Sequence, residues 1–413
     1  MSTILITPSF LKGELDIITS KSYAHRALII ASLANGISTI HNMPLSQDVE
    51  ATKAALKHFG VLIDGEKIDA RQLHYDQTPI DCFASGSTLR MLIPMSMAIF
   101  EHVIFQGTER LFQRPLDVYE TLFKNQIKRL NHTQLEVKGP IHDHHFKVDG
   151  SKSSQFISGL LMMSPRLSRD VTIEIEHTLT SKSYVDMTID IMKHFGVHVH
   201  VDQHTYTISK TASYQPRSID IEGDYSQAAF FLVAGIIGHP IHVKGLKKDS
   251  KQGDAKVLDI ITNMGGALTW THEGVIASPS QTHCITIDLD DIPDLGPILM
   301  VLAALSKGTS VFKNVDRLTF KESDRLHTMM HVLDQLGVMH VYENNALSIE
   351  GVESFQGHVT LSSEDDHRIA MTIAIASIRA QHPIVLTHAE AIQKSYPQFY
   401  DVYRSLGGKI DEY

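Results

Sequence analysis

Helix-like blocks alternate with short strand-like stretches along the whole chain, and the alternation keeps a regular beat. Apolar spacing predicts helices over 22–34, 153–163, 183–194, 295–305, 322–336 and 367–380. β-Branched or alternating stretches such as 171–176 and 358–361 read as strands. Five helix candidates stop at a hydrophobic residue followed by glycine, at Gly60, Gly196, Gly265, Gly337 and Gly407, and a weaker copy ends near Gln126. Glycine is the expected stop because it accepts the left-handed conformation at little steric cost. Taken in order, these ends are 66, 70, 69, 72 and 70 residues apart. An earlier helix in each interval starts near Ser22, Ser87, Ser153, Tyr225, Asp294 and His367. The second helices start near Asp48, Pro115, Tyr184, Asp254, Glu322 and Pro397. The segments 18–23 and 179–184 differ only in Ile18 against Leu179. Such echoes mark true repetition. Each unit therefore reads as two strand–helix steps plus an extra strand, and six units divide into two domains of three.

Composition narrows the partners. A chain of 413 residues exceeds one ordinary core, and 43 % hydrophobic residues suffice to fill two. The net charge of −10 argues against general attraction to nucleic acid or an anionic membrane. The longest apolar runs, such as 91–100, fall far short of a membrane span. Two cysteines, Cys82 and Cys284, imply no disulfide framework and fit a reducing cytoplasm. Residues 1–6 lack the basic region and long apolar run of a secretory signal. Of the 25 histidines, the cluster His142, His144 and His145 stands in a polar stretch with no second ligand-rich segment. No metal site is expected there.

The charge pattern at helix starts carries the chemistry. A helix start is electropositive, so a cation there is mildly unfavourable. Yet Lys21, Lys152 and Lys182 stand at predicted starts, Lys321 and Arg325 open another, and Arg368 opens a very apolar one. An anionic ligand at such starts reconciles the pattern, since backbone N–H groups, dipole and cations would all address it. Ser151, Ser153, Ser154 and Gln155 form a phosphate-cradle pattern, and Ser85, Gly86, Ser87 and Thr88 a similar one; each is equally readable as N-capping. Lys321, Glu322 and Arg325 combine cations with a proton-transfer group, or make a solvated first turn. Asp294 reads as an N-cap or a general base. Arg368 reads as an anion binder or as a partner of Asp365 or Asp366, with His367 beside it as a possible proton donor.

These segments resemble, in order and over nearly the whole chain, the enolpyruvyl transferases, in particular the branch that acts on shikimate 3-phosphate. The resemblance rests on Ser20, Lys21 and Ser22 with Arg26; Ser85 and Gly86 with Arg90; Arg114 and Pro115; Ser153, Ser154 and Gln155; and Ser181 with Tyr184. It continues through Gly223 and Asp224; Pro293 and Asp294; Lys321 to Arg325; Asp366 to Arg368; and Lys394. It implies an α/β fold, a two-domain inverse α/β barrel of six βαβαββ units, three per domain. One domain would be 20–222. The other would combine 1–19 with 223–413 across a double crossover hinge. The implied reaction moves the enolpyruvyl group of phosphoenolpyruvate to the 5-hydroxyl of shikimate 3-phosphate, without a cofactor or metal, in a cytoplasmic monomer.

Carried over by motif, Lys21, Gly86, Arg114, Gln155, Arg325, Arg368 and Lys394 would hold phosphoenolpyruvate. Lys21, Ser22, Arg26, Ser153, Ser154, Gln155, Ser181, Tyr184, Asp294 and Lys321 would hold shikimate 3-phosphate. Glu322 is the expected acid, Asp294 the expected base, Lys21 the group that stabilises departing phosphate, and His367 an additional proton-transfer candidate. Phe83 and Ala84 depart from the family's usual glycine followed by Asn or Glu. Thr319 stands where Arg is common, and Arg317 receives no role. The rivals are the sister transferase acting on UDP-N-acetylglucosamine and a non-catalytic anion-binding relative. The first usually has a cysteine shortly before the Arg-Pro pair, and 107–115 contains none.

Overall fold

A computed structural model describes residues 2–412, and they fall into two compact units. One runs Ser20–Ile221. The other joins the residues up to Thr19 with those from Glu222 onward.

The Ser20–Ile221 unit contains three four-stranded sheets. His145–Asp149, Val171–Glu176, Thr205–Ile208 and His200–Asp202 lie side by side in that order; the first pair is parallel and the others antiparallel. With helices Ser154–Met163 and Lys182–His194 between the strands, this is a βαβαββ unit. Ile80–Asp81, His102–Gln106, Gln134–Lys138 and Ile127–Asn131 repeat the arrangement. In the third sheet the strand parallel to Ile37–His41 is Ser218–Asp220, from the far end of the segment.

The second unit repeats the pattern three times and closes two of its sheets with the chain's N-terminal segment. Gly13–Asp16 lies parallel to Ile241–Lys244. Thr3–Thr7 lies between Ile384–Thr387 and Lys409–Glu412, antiparallel to both. The third sheet takes Thr286–Asp288, Thr309–Lys313, Ala346–Glu350 and His340–Glu343 from consecutive sequence. Six sheets of one topology thus stand behind the roughly seventy-residue period.

The first helix of each repeat fills the core. Tyr225–Ile237, Gly296–Ala304 and His367–Ala376 are buried at every residue and pack on one another. Their composition explains this: a helix apolar all round has no solvent face to offer. In the other unit Lys21–Leu33, Gly86–Ile99 and Ser154–Met163 take that place, with Gly86–Ile99 against both others. Buried starts need their N–H groups satisfied. Side chains of Ser20, Ser85, Ser153, Asp224 and Asp366 cap five of them.

Two helix boundaries differ from the sequence expectation by most of a turn. The helix expected over 322–336 begins at Arg325, because Asp324 caps it by accepting from His327 N. Lys321 and Glu322 lie in the preceding loop, with Lys321 extended. The apolar block 367–380 is α-helical over His367–Ala376 and ends in a 3₁₀ turn, Ser377–Arg379.

Candidate active site

Asp294 is the centre of a charge cluster in the second unit. It sits in the 3₁₀ turn Pro293–Leu295, ahead of the buried helix Gly296–Ala304, and caps nothing there with its side chain. Its Oδ1 accepts from Lys321 Nζ at 3.2 Å and Arg325 NH1 at 2.9 Å. Its Oδ2 accepts from Arg368 NH2 at 2.9 Å, and its carbonyl from Arg368 NH1 at 3.2 Å. Of the two acids expected as structural partners of Arg368, Asp366 accepts its backbone N–H, as the helix cap.

Arg325 is 1 % exposed and binds three carboxylates. Besides Asp294, it donates from NH2 to Glu322 Oε2 at 2.6 Å and from Nε to Asp366 Oδ2 at 2.7 Å. Asp366 is wholly buried and also accepts from the Ser323 hydroxyl at 3.2 Å. A buried charge is tolerable only when paired this fully. Burial pushes the Asp294 carboxyl up, but Arg368, Lys321 and Arg325 win and hold it well below the usual carboxylate range. Burial pulls the Lys321 ammonium down against the attraction of Asp294. Burial opposes the Arg325 charge too, but Asp366, Glu322 and Asp294 hold it above its ordinary value. Lys394, at the end of the 3₁₀ segment Ala389–Lys394, is 9 % exposed and has no hydrogen bond or ion pair among the described residues. A desolvated, unneutralised ammonium is a receptor for an anion. His367 is buried at the first position of its helix.

The Ser20–Ile221 unit carries its own cluster. Lys21 opens the helix Lys21–Leu33 and pairs with Asp48, in the first turn of Gln47–His58, at 2.8 Å. His25 lies below it, fully buried, with Nδ1 2.7 Å from the Thr52 hydroxyl. Burial pulls the His25 imidazole down to about 3, so it is neutral at physiological pH. Arg26 serves the scaffold: Nε reaches Thr188 at 2.7 Å, NH1 the Ser22 carbonyl at 2.8 Å, and NH2 the Tyr184 carbonyl at 3.2 Å and Ser158 at 3.3 Å. The carbonyls of Ser22 and Tyr184 are thereby fixed.

At the start of Gly86–Ile99, the Arg114 guanidinium lies so close that a Cβ on Gly86 would be 2.7 Å from its NH1. Glycine is needed there for that approach. Arg90 donates to Gln155 Oε1 at 2.9 Å, and Gln155 Nε2 donates to the Ser87 hydroxyl at 3.0 Å. This pins Gln155 beside the cap Ser153 and the buried Ser154. Ser181 holds the left-handed conformation ahead of Lys182–His194 and makes no side-chain cap bond there. Phe83, where the family's glycine would stand, has φ +50° and is exposed. That left-handed conformation is one glycine adopts without steric cost and a side chain does not.

The sequence reading therefore finds two groups, one per unit. Lys321, Glu322, Arg325 and Arg368 are bonded around Asp294, with His367 next to Arg368 in the chain. Lys21, Arg26, Gln155, Gly86 and Arg114 stand with their partners in the other unit. The sequence reading missed Asp48 as the partner of Lys21, and it set Asp366 beside Arg368 but not with Arg325, which it binds. Both are acids beside a helix start, a signal present in the sequence but indistinguishable there from ordinary capping.

The profile of the family described as EPSP synthase (3-phosphoshikimate 1-carboxyvinyltransferase) matches residues 6–403. The 3-phosphoshikimate 1-carboxyvinyltransferase of Clostridium kluyveri is 41 % identical over 424 aligned positions, covering 100 % of this chain and 99 % of that protein. That of Clostridioides difficile is 40 % identical, covering 100 % and 99 %. Among solved structures, EPSP synthase from Acinetobacter baumannii superposes with a TM-score of 0.84 at 22 % identity, covering 100 % of both chains. The enolpyruvyl transferase NikO from Streptomyces tendae does so with 0.80 at 15 % identity, covering 100 % of this chain and 98 % of that one. The solved structures share the fold, and the profile match over residues 6–403 together with full-length relatives at 40–41 % identity shows that the chain belongs to the EPSP synthase family.

Proposed function

We infer that this protein transfers the enolpyruvyl group of phosphoenolpyruvate to the 5-hydroxyl of shikimate 3-phosphate, with release of phosphate, a step towards chorismate and the aromatic amino acids. The observation that carries the reading is a carboxylate, Asp294, bound by three cations within a family match that spans the chain. The acceptor hydroxyl must lose a proton to attack C2, and C3 must gain one to make C2 electrophilic. The tetrahedral intermediate then loses the C3 proton and expels phosphate, breaking the C2–O bond.

Asp294 takes the base role and Glu322 the acid role. Asp294 is a weak base while its cations surround it. When the carboxylate and phosphate of phosphoenolpyruvate draw Arg368 and Arg325 away, its proton affinity rises as the acceptor arrives. Lys21, Gly86, Arg114, Gln155, Arg325, Arg368 and Lys394 serve phosphoenolpyruvate. Lys21 also stabilises the phosphate as it leaves, and His367 assists proton transfer. Ser22, Arg26, Ser153, Ser154, Gln155, Ser181 and Tyr184, with Lys21, Asp294 and Lys321, serve shikimate 3-phosphate, so the 20–222 domain is the shikimate side. Arg26 acts through the carbonyls it holds. We take the double crossover at 19–20 and 222–223 as the hinge.

No cofactor or metal enters this chemistry, and we place the protein in the cytoplasm as a monomer. No helix among the described residues is long and apolar enough to cross a membrane. The test is phosphate release on mixing the protein with both substrates. Release only with UDP-N-acetylglucosamine as acceptor would assign it to the sister reaction, which the names of the full-length relatives disfavour. No release with either acceptor would leave an anion-binding protein. A native mass well above 46.1 kDa would refute the monomer.

A further inference from the structure

A second carboxyl lies behind the Asp294 cluster. Asp254 stands in the 3₁₀ turn Gly253–Ala255 and is 2 % exposed. Its Oδ2 is hydrogen-bonded to the hydroxyl of Ser226, on the buried helix Tyr225–Ile237. Its Oδ1 is buried and has no hydrogen-bond partner among the described residues. A carboxylate oxygen in that position is costly, whereas a protonated carboxyl needs far less solvation.

The charges around it come from three elements. Asp294 faces it from the turn Pro293–Leu295, Arg368 from the helix His367–Ala376, and Asp224 from the cap of Tyr225–Ile237. Lys256, which opens the next helix on the same segment, is turned to Asp291 at 2.9 Å and does not neutralise it. Gln252 is spent on Glu222 and the Gly223 carbonyl. Burial, then Asp294, push the Asp254 carboxyl up to about 7, with Asp224 adding to them; Arg368 and the Ser226 bond oppose.

We propose that Asp254 is a positioning residue for phosphoenolpyruvate: its protonated form leaves Arg368 free to exchange Asp294 for the substrate, and its ionised form retains Arg368. The proposal rests on the reaction inferred above. Ser226 ties Asp254 to the helix Tyr225–Ile237, which packs on His367–Ala376, so ionised Asp254 adds a second buried anion to the field at Arg368, and a bound anionic substrate must compete with both. By linkage, phosphoenolpyruvate and the Asp254 proton then favour each other's binding. Asp254 touches no reacting atom and acts only through Arg368.

The experiment is a pH series, from pH 6 to 9, of KM and kcat for phosphoenolpyruvate with the full-length protein, Asp254→Asn and Ser226→Ala. In the parent, KM is expected to rise at least fivefold between pH 6.5 and 8.5, by order of magnitude for loss of one buried proton, with the change falling on KM rather than kcat. Asp254→Asn keeps the shape and stays neutral, so its KM should lose that rise. Ser226→Ala removes a bond that favours the charged form, so the rise should move to higher pH. Identical KM profiles in parent and variants overturn the role of Asp254. A parent that releases no phosphate overturns the reaction itself, a separate failure. If Asp254→Asn fails to fold, the direction of the Ser226→Ala shift decides.

Discussion

Single carboxyls in this protein have opposite fates within one charge cluster, and the neighbours decide which. Asp294 is partly exposed and bound by three cations, so it stays ionised. Asp254 is buried with one hydroxyl, so it favours its proton. Its ordinary value of 3.8 applies unfolded and about 7 applies folded. A raised carboxyl disfavours the folded state once it must ionise. Its cost is therefore absent below about pH 4, grows between pH 4 and 7, and is complete above. Asp254→Asn should be more stable than the parent at pH 8, by up to about 4 kcal/mol, with the difference vanishing near pH 4. Denaturant titration at the two pH values checks this. Glu322→Gln keeps the side chain's shape and its bond to Arg325 but removes the acid. Turnover should fall by about 10²–10⁴-fold while calorimetric binding of both substrates persists. A variant within threefold of the parent would remove Glu322 from the proton-transfer role.

At the scale of an element, buried helix starts deliver the site. Gly86 opens a buried helix, and the missing Cβ lets Arg114 settle over the start. Gly86→Ala forces the flexible guanidinium to move, and the KM for phosphoenolpyruvate should rise about tenfold, roughly 1.4 kcal/mol of binding, with little loss of stability. Unchanged KM would mean that Arg114 does not reach the substrate. Asp366 does two jobs at the start of His367–Ala376: it caps the helix through Arg368 N and neutralises Arg325. Asp366→Ala leaves a buried guanidinium short of a partner and should cost about 3–5 kcal/mol by thermal or denaturant unfolding. A cost near 1 kcal/mol would reduce Asp366 to a cap alone.

At the scale of the molecule, the chain's N-terminal segment completes sheets built from its later part. Thr3–Thr7 is an inner strand, hydrogen-bonded on both sides. Removing residues 2–7 exposes two strand edges and uncovers Ile4 and Ile6, so the truncated chain should lose cooperative unfolding and phosphate release together. An active, cooperatively melting truncation would show the sheet tolerates the loss. Most of this architecture was readable beforehand. The glycine stops and helix starts repeat because each unit must bury one apolar helix and end a second, and both needs are local. The strand at Val171–Glu176 shows its alternation in the sequence and buries Val171, Ile173 and Ile175. The boundary at Arg325 was not readable from the apolar period, because a cap is chosen by one side chain, Asp324, whatever the period upstream.

Spacing, polarity and capping act over a few residues, so the repeat, the identity of the buried helices and the cations at their starts are written in the chain itself. Which acid holds which cation is not, because the paired residues lie far apart along it. Asp294 and Arg368 are 74 residues apart, Arg325 and Asp366 are 41 apart. Charge pairing depends on distance in space, and the packing of His367–Ala376 against Gly296–Ala304 and Arg325–Gln335 brings those carboxylates within 3 Å of their partners.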